Sequence, residues 1–176
     1  RASAGKVRRC HGDLHLDNIV VLDGRPLLFD AIEFDEALAT VDTLYDLAFL
    51  LMDLEAHGAR AGANVVLNRY LWQSQDPLDL EGLSALPLFM ALRAGVRAMV
   101  TAQRAQLARP EAQEATQREE KLYRRLAERQ LAPAAPALIA VGGLSGTGKS
   151  TLAAALAPEL AAPAGALHLR SDLERK

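Results

Sequence analysis

The sequence predicts an α+β chain that is mostly helical, with a β-hairpin near its start and a β-α-β unit near its end. Two short apolar runs, at 19–22 and 26–29, are separated by Asp23-Gly24-Arg25, and Asp-Gly between such runs is a strong hairpin signal. Apolar residues recur at helical spacing over long stretches between positions 41 and 130. A glycine-rich motif at 143–151 lies between an apolar run and an Ala/Leu-rich segment.

The composition narrows the class of protein. Half of the 176 residues are apolar, enough to bury a core, and the net charge is -2. Nucleic-acid binding draws on an excess of Lys and Arg, so we expect no nucleic-acid partner. No apolar run approaches the roughly 18 residues that a membrane span needs, so we expect no membrane association. The single cysteine, Cys10, cannot form an internal disulfide and fits a reducing cytoplasm.

Four helices are predicted in the first three quarters of the chain. Asp76-Pro77 is predicted to close the second, Ser84 to cap the third, and Pro110 to stop the third. The fourth alternates acidic and basic residues, which indicates an exposed face. The predicted ranges are 41–54, 65–73, 84–108 and 111–130.

A short linker divides the chain into two predicted domains. The linker, Ala-Pro-Ala-Ala-Pro at 132–136, follows the last of these helices, and the apolar period changes after it. The first domain is therefore predicted at 1–131 and the second at 137–176.

Residues 143–151 fit the P-loop pattern G-x-x-x-x-G-K-[ST], with a strand predicted before them at 137–141 and a helix after them at 150–160. Backbone N–H groups of such a loop wrap phosphates, and the helix N-terminus adds a favourable field. Lys149 is expected to reach the β- and γ-phosphates and Ser150 to ligate Mg²⁺. The alternative is a glycine-rich turn without a ligand. The residues predicted to bind ATP are Gly143, Ser145, Gly146, Thr147, Gly148, Lys149, Ser150 and Thr151.

A second candidate feature follows a short strand predicted at 166–169. Asp172 and Arg175 have the Asp-x-x-Arg spacing that resembles P-loop kinases acting on small molecules or polynucleotide ends. That resemblance implies that Asp172 takes the proton of the acceptor hydroxyl and that Arg175 holds substrate or phosphate. The alternative is a helix N-cap followed by solvated charges.

The segment His11-Gly12-Asp13-Leu14-His15-Leu16-Asp17-Asn18 has the spacing H-x-D-x-x-x-x-N, and Asp30 follows after the hairpin. Phosphoryl transfer in kinase folds needs a carboxylate near the acceptor hydroxyl, and a second carboxylate and an amide that hold Mg²⁺. Asp13 fits the first role. Asn18 and Asp30 fit the second, because the hairpin between them brings the two positions together.

This segment resembles the aminoglycoside phosphotransferase family, whose catalytic loop has the pattern His-Gly-Asp-x-His-x-x-Asn. The order of the loop, the hairpin, the following helix and the P-loop is similar to bacterial proteins that fuse such a domain to a P-loop ATP-binding domain. The resemblance implies a helix-rich lower lobe of a protein-kinase-like fold, then the first β-α-β unit of a P-loop NTPase or kinase domain. It also implies ATP and Mg²⁺ as cofactors and a small-molecule hydroxyl as acceptor, with Asp13 as base and Asn18 and Asp30 as metal ligands.

The upper lobe that such a kinase uses to hold ATP has no counterpart before Asp13. The sequence is therefore expected to be a piece of a longer protein, cut at both ends and inactive alone. Two alternatives stay open: a P-loop ATPase whose kinase-like lobe is not catalytic, and a regulatory pseudoenzyme that senses nucleotide. Oligomeric state is not predicted.

Several further residues have a structural interpretation beside a functional one. Asp46 is expected to cap its helix and also to brace the catalytic loop. His11 and His15 are expected to support the backbone of that loop rather than bind zinc, since no third nitrogen or sulfur ligand is evident. Arg93 and Arg97 could hold an anion, but a solvated helix face is favoured.

Overall fold

The structure is a computed structural model that describes residues 1–107, 109–132, 135–160 and 163–170. Four short strands form two separate antiparallel pairs, and the rest of the regular structure is helical. The strands are β1 (Val7–Arg9), β2 (Ile19–Leu22), β3 (Arg25–Leu28) and β4 (Thr40–Asp42). The helices are α1 (Glu36–Ala39), α2 (Thr43–Ala56), α3 (Arg60–Ser74), α4 (Pro77–Gly82), α5 (Leu86–Leu107), α6 (Pro110–Gln130) and α7 (Lys149–Leu156). The α+β class is therefore confirmed in its general form.

The predicted hairpin is confirmed as β2 and β3, joined by a two-residue turn. Asp23 and Gly24 both have positive φ, at 51° and 73°. This backbone matches the twist of the flanking strands, which is why Asp-Gly favours the turn. The other pair, β1 with β4, joins residues far apart in the sequence and had no local signal.

The core lies between α2, α3, α5 and α6. Asp42 caps α2, its Oδ1 accepting the N–H of Leu44 at 2.8 Å, and the periodic pattern over 41–54 correctly predicted this helix. α5 packs along both α2 and α6. The largest fully buried apolar side chains are Leu44, Leu51, Met52, Met90 and Tyr123.

Several helix boundaries differ from the predictions. α3 begins at Arg60 rather than at 65, and Ser84 does not cap α5 but lies in a 3-10 turn before it, where its Oγ donates to the carbonyl of Glu81 at 3.1 Å.

Two further differences occur at prolines. Asp76-Pro77 was expected only to close a helix, but Asp76 also caps α4 by accepting the N–H of Leu78 at 2.9 Å. Pro110 stops one helix and occupies the first turn of the next. Both follow from the same property, because proline disrupts a helix interior yet suits the first helical turn.

The two strands predicted around the P-loop are not formed in the described residues. Residues 137–141 pair with no other segment described, and Leu138 is 95% exposed. At 166–169, the N–H of Ala166 binds the carbonyl of Ala157 at 2.7 Å, and that of His168 binds Asn68 Oδ1 at 2.7 Å. A strand requires a neighbouring strand to satisfy its backbone. Of the predicted β-α-β unit, the helix alone is present in this part of the chain.

Residues 157–160 and 163–168 instead dock on α3. Arg60 donates from Nε to the carbonyl of Pro158 at 2.7 Å. Asn64 Nδ2, buried, donates to the carbonyls of Ala164 at 2.7 Å and Ala166 at 2.9 Å. Ala164 is itself fully buried in the core.

One described stretch, Pro77–Leu107, is long and apolar enough to cross a membrane by length and composition alone, with a window hydropathy of 1.4. A mostly buried core helix of a soluble protein meets the same criterion, whereas 28% of the most apolar part of this stretch is buried. Within this stretch α5 contributes Leu86, Met90 and Ala94 to the core shared with α2. Its packing is compatible with a soluble protein.

Candidate functional site

Asp13, Asn18 and Asp30 line a single pocket of about 390 Å³, although the hairpin separates Asp30 from the other two in sequence. Asn18 ends a 3-10 turn at Leu16–Asn18, and Asp30 lies two residues beyond β3. α5 supplies a further wall. The other lining residues are His15, Asp17, Phe49, Val96, Arg97, Val100 and Arg104.

Two buried carboxylates of α2 hold the loop that carries Asp13. Asp46 accepts the N–H groups of His11 at 3.1 Å and Gly12 at 2.9 Å, one on each oxygen. Asp53 Oδ2 accepts the N–H of Leu16 at 2.9 Å. The interpretation of Asp46 as a brace is confirmed, but its interpretation as a helix cap is wrong, because Asp42 caps α2. The role of Asp53 was missed, because a carboxylate off the apolar stripe of a helix gives no sign of what it contacts.

Gly12 is required by the geometry of this loop. Its φ is +82°, and a Cβ atom there would lie 2.9 Å from Ile32 Cδ1. Ile32 cannot withdraw easily, because its N–H binds the carbonyl of His11 at 2.9 Å. A glycine therefore lets the loop pass close to the segment after Asp30.

The carboxylate of Asp13 is fixed by its neighbours in the loop. Asn18 Nδ2 donates to the Asp13 carbonyl at 2.9 Å and to its Oδ2 at 3.2 Å. His15 Nε2 lies 3.3 Å from the same oxygen. The hydrogen bond from His15 is the largest influence that lowers the pKa of Asp13, and Asn18 and Arg93 add to it. Asp13 is therefore ionised at neutral pH, as a base must be.

Asp30 has an unusual backbone and a fixed position. Its φ is +59°, a left-handed conformation that is uncommon outside glycine and better tolerated by Asp than by most residues. The preceding residue, Phe29, contacts the loop through both of its backbone polar groups. Its N–H donates to the carbonyl of Asn18 at 3.1 Å, and its carbonyl lies 2.9 Å from His11 Nε2. Such strain clusters at functional sites.

The donor set of this pocket fits Mg²⁺ better than zinc. No cluster of three or more His, Cys, Asp or Glu side chains suited to a metal occurs among the described residues. Mg²⁺ takes oxygen ligands, and it is commonly held by one or two protein groups together with substrate phosphates. Asp30 Oδ and the free Oδ1 of Asn18 would supply the protein share, since Asn18 uses its Nδ2 to hold Asp13.

The prediction that Arg93 and Arg97 lie on a solvated face is wrong. Arg93 is 7% exposed, with its guanidinium 4.0 Å from the ring centre of Tyr45 and 3.7 Å from Asp46 Oδ1. Arg97 is 9% exposed and donates to Tyr123 Oη at 3.4 Å. Burial of both guanidiniums is possible because aromatic faces and carboxylates surround them.

The glycine-rich motif forms an exposed turn ahead of α7. Gly143, Gly146 and Gly148 have φ values of 147°, 79° and 79°, in the left-handed range that favours glycine. Lys149 Nζ folds over the turn and donates to the carbonyl of Leu144 at 2.5 Å. The predicted ligands Ser145, Thr147, Ser150 and Thr151 all lie on the surface. Asp172 and Arg175 lie outside the described residues.

A third buried carboxylate of α2 was also missed. Glu55 accepts hydrogen bonds from Arg60 at 2.7 Å, Gln130 at 2.7 Å and the N–H of Ala164 at 3.0 Å. It thereby joins α2, α3, α6 and the docked residues around Ala164. Each of these partners is distant in sequence or on another helix, so no local sequence pattern indicated that Glu55 would join these elements.

Comparisons with known proteins give relatives but no assigned family. The chain is 37% identical over 157 residues to the uncharacterized proteins Mb2027c of Mycobacterium bovis and Rv2004c of Mycobacterium tuberculosis. The match covers 89% of this chain and 30% of each relative, so the chain spans less than a third of their length. No protein-family model matches the chain. No solved structure matches it significantly.

Proposed function

We propose that the intact protein is an ATP-dependent phosphotransferase that transfers the γ-phosphate to a hydroxyl group of a small molecule. The observation that carries the proposal is the convergence of Asp13, Asn18 and Asp30 on one pocket. These are the residue types that kinase-type transfer uses as base and metal ligands. The similarity of the loop to the aminoglycoside phosphotransferase family supports the same conclusion.

In this proposal each of these residues has a defined task, and Asn18 has two. Asp13 accepts the proton of the acceptor hydroxyl as its oxygen attacks the γ-phosphorus. Asn18 and Asp30 hold Mg²⁺, which neutralises charge on the phosphates when bound. His15 and Asn18 keep Asp13 ionised and oriented. Asp46 and Asp53 fix the loop from α2.

The P-loop motif is proposed as a second ATP site, with Lys149 at the phosphates and Ser150 on Mg²⁺. The left-handed glycines and the helix that starts at Lys149 support it. Asp172 as a base and Arg175 as a phosphate or substrate ligand belong to this proposed site. We further propose that the protein acts in the cytoplasm, without nucleic acid or membrane as partner.

The metal ligands are tested by Asn18→Ala and Asp30→Ala in the intact protein. Each change removes an oxygen ligand, so we expect Mg-ATP to bind at least about tenfold more weakly at the first site, as charge-assisted contacts are worth about 1.5–3 kcal/mol. Titration calorimetry in a Lys149→Ala background isolates this site. Glu33→Gln, an exposed carboxylate close to Asp30 in sequence, is the matched control. Unchanged Mg-ATP affinity in both variants would show that Asn18 and Asp30 are not Mg²⁺ ligands.

The second site is tested by Lys149→Ala in an otherwise unaltered intact protein. The ammonium group is the one cation of the motif itself, so its loss is expected to abolish most nucleotide affinity of the P-loop. Binding of a fluorescent ATP analogue that reports two classes of site in the wild type should then report one. Two classes of equal affinity in the variant would show that residues 143–151 form only a turn.

A further inference from the structure

The pocket of Asp13 contains cationic side chains that the proposed transfer does not use. α5 lines it with Val96, Arg97, Val100 and Arg104. Residues 96, 100 and 104 are spaced by four, so they lie on one face of the helix, and Arg97 adjoins that face. The wall therefore carries two apolar side chains and two guanidiniums.

Arg97 is largely buried and has unused hydrogen-bonding capacity. It is 9% exposed, and its Nη2 donates to Tyr123 Oη at 3.4 Å and lies within 4 Å of Asp17 and Glu119. Tyr123 is fixed in turn by donating to Asp53 Oδ1 at 3.0 Å. Arg97 Nε is buried and has no hydrogen-bond partner among the described residues. A buried donor without a partner is costly, so such a group indicates a ligand that is absent here.

Arg104 has the opposite character. It is exposed, and within the described part of the chain no ion pair or hydrogen bond occupies it. Its guanidinium is therefore free to turn toward a ligand at the mouth of the pocket. The exposed guanidinium of Arg104 and the buried guanidinium of Arg97 together suit an anion, because both can donate hydrogen bonds to its oxygens.

The charged groups of the pocket come from different elements. Its carboxylates are Asp13, Asp17 and Asp30, and two of them have tasks in the proposed transfer, at the acceptor hydroxyl and at Mg²⁺. Arg97 lies 3.6 Å from Asp17, whose side chain is 72% exposed, and 3.9 Å from Glu119. The cationic side chains that line the pocket, Arg97 and Arg104, both come from α5, so an anionic group would bind on that wall.

We infer that the acceptor is an anionic alcohol, in which a carboxylate or phosphate group binds Arg97 and Arg104 while a hydroxyl group faces Asp13. The inference rests on the proposed phosphotransferase function and specifies its substrate class. In the transfer, the hydroxyl oxygen bonds to the γ-phosphorus, the bond from that phosphorus to the bridging oxygen breaks, and ADP leaves with the electron pair. Asp13 receives the hydroxyl proton. A polycationic acceptor would meet repulsion at the same wall.

The test compares acceptors that differ in charge, using the intact protein and Mg-ATP. The anionic arms are glycerate and gluconate, with a carboxylate, and glycerol 3-phosphate, with a phosphate. The neutral arms are glycerol and glucose, and kanamycin is the cationic arm. We expect ADP formation that depends on an anionic acceptor and is lost in Asp13→Asn. Whether the two carboxylates or glycerol 3-phosphate give the faster ADP formation tells a carboxylate ligand from a phosphate ligand.

Arg104→Gln is expected to raise the acceptor KM by about 10- to 100-fold with little change in the KM of ATP, because it removes a charge-assisted contact from an exposed position. Arg104→Lys should retain part of the affinity. Arg124→Gln, which removes an exposed arginine paired with Glu120 and Glu128 on α6, is the control and should have no effect. A rise in the KM of ATP instead would assign the guanidiniums to the nucleotide and overturn the inference.

The outcomes separate the inference from the function on which it rests. Preference for kanamycin or a neutral alcohol, with turnover still dependent on Asp13, would overturn the anionic acceptor and leave the phosphotransferase intact. Absence of any acceptor-dependent ADP formation that Asp13→Asn removes would contradict the phosphotransferase itself, and the inference with it.

Discussion

Three buried carboxylates on one helix organise this molecule at the scale of single residues. Asp46 and Asp53 of α2 accept backbone N–H groups of the loop that carries Asp13. Glu55, in the last turn of α2, holds the docked segment at Ala164. Buried charges are tolerated only where they are paired and hydrogen-bonded. Each carboxylate therefore fixes the backbone that it contacts.

His15 is expected to lower the pKa of Asp13, and His15→Phe tests this. The change keeps a ring against Phe49, which lies 5.2 Å away, but removes the hydrogen bond that most lowers the pKa of Asp13. The pKa of Asp13 should rise, so the acid limb of the transfer rate should move to higher pH. Because the folded-state pKa is lowered in the native protein, this carboxylate stabilises the fold above its unfolded pKa. That stability is lost as pH falls through the folded value.

The measurement is a pH–rate profile of the intact protein, supported by unfolding at matched pH values. His57→Phe serves as control, since His57 is exposed and contacts Asp53 rather than Asp13. An acid limb at the same pH in His15→Phe and in the native protein would show that His15 does not set the ionisation of Asp13.

At the scale of elements, the sequence predicted those features that depend on residues close together in the chain. The hairpin followed from Asp23-Gly24, whose backbone requirement is met within two residues. α2 followed from a single apolar stripe. The loop and Asp30 followed from the spacing of residue types that phosphoryl transfer needs, and the structure gathers them in one pocket.

The remaining elements depend on partners distant in sequence. β1 exists only because β4 pairs with it, more than thirty positions later. The runs at 137–141 and 166–169 have the composition of strands, but no strand among the described residues pairs with them. The burial of Arg93 and Arg97 likewise could not be predicted, because it depends on Tyr45, Tyr123 and the acids of α2, which surround the two side chains in the fold. A periodic pattern contains none of this information.

The docking of residues 163–168 on α3 is expected to depend on Asn64. Asn64→Ala removes two buried hydrogen bonds and leaves the carbonyl of Ala164 without a partner, a loss of about 1–3 kcal/mol. We expect faster hydrogen exchange at Ala166 and His168 with unchanged exchange in α2. Gln73→Ala, an exposed position on α3, is the control. Equal exchange rates at Ala166 in the variant and the native protein would mean that this segment is held by other contacts.

At the scale of the whole molecule, α2 connects both candidate sites. Its first turns hold the loop beside Asp13, and its last turn holds the segment that follows the P-loop helix. The matched part of the chain covers 30% of its mycobacterial relatives, so the activity of the intact protein is a proposal. The central claim is that phosphoryl transfer takes place at the pocket of Asp13.

The most direct test is transfer by the intact protein with Asp13→Asn, following ADP release and the phosphorylated product together by ³¹P NMR. The carboxamide keeps the shape of the side chain and cannot accept the proton, and a general base contributes roughly 10²–10⁴-fold to rate. We predict a fall in turnover within that range, with Mg-ATP affinity unchanged. A fall of less than about tenfold, or ADP release without a phosphorylated product in the native protein, would contradict the account.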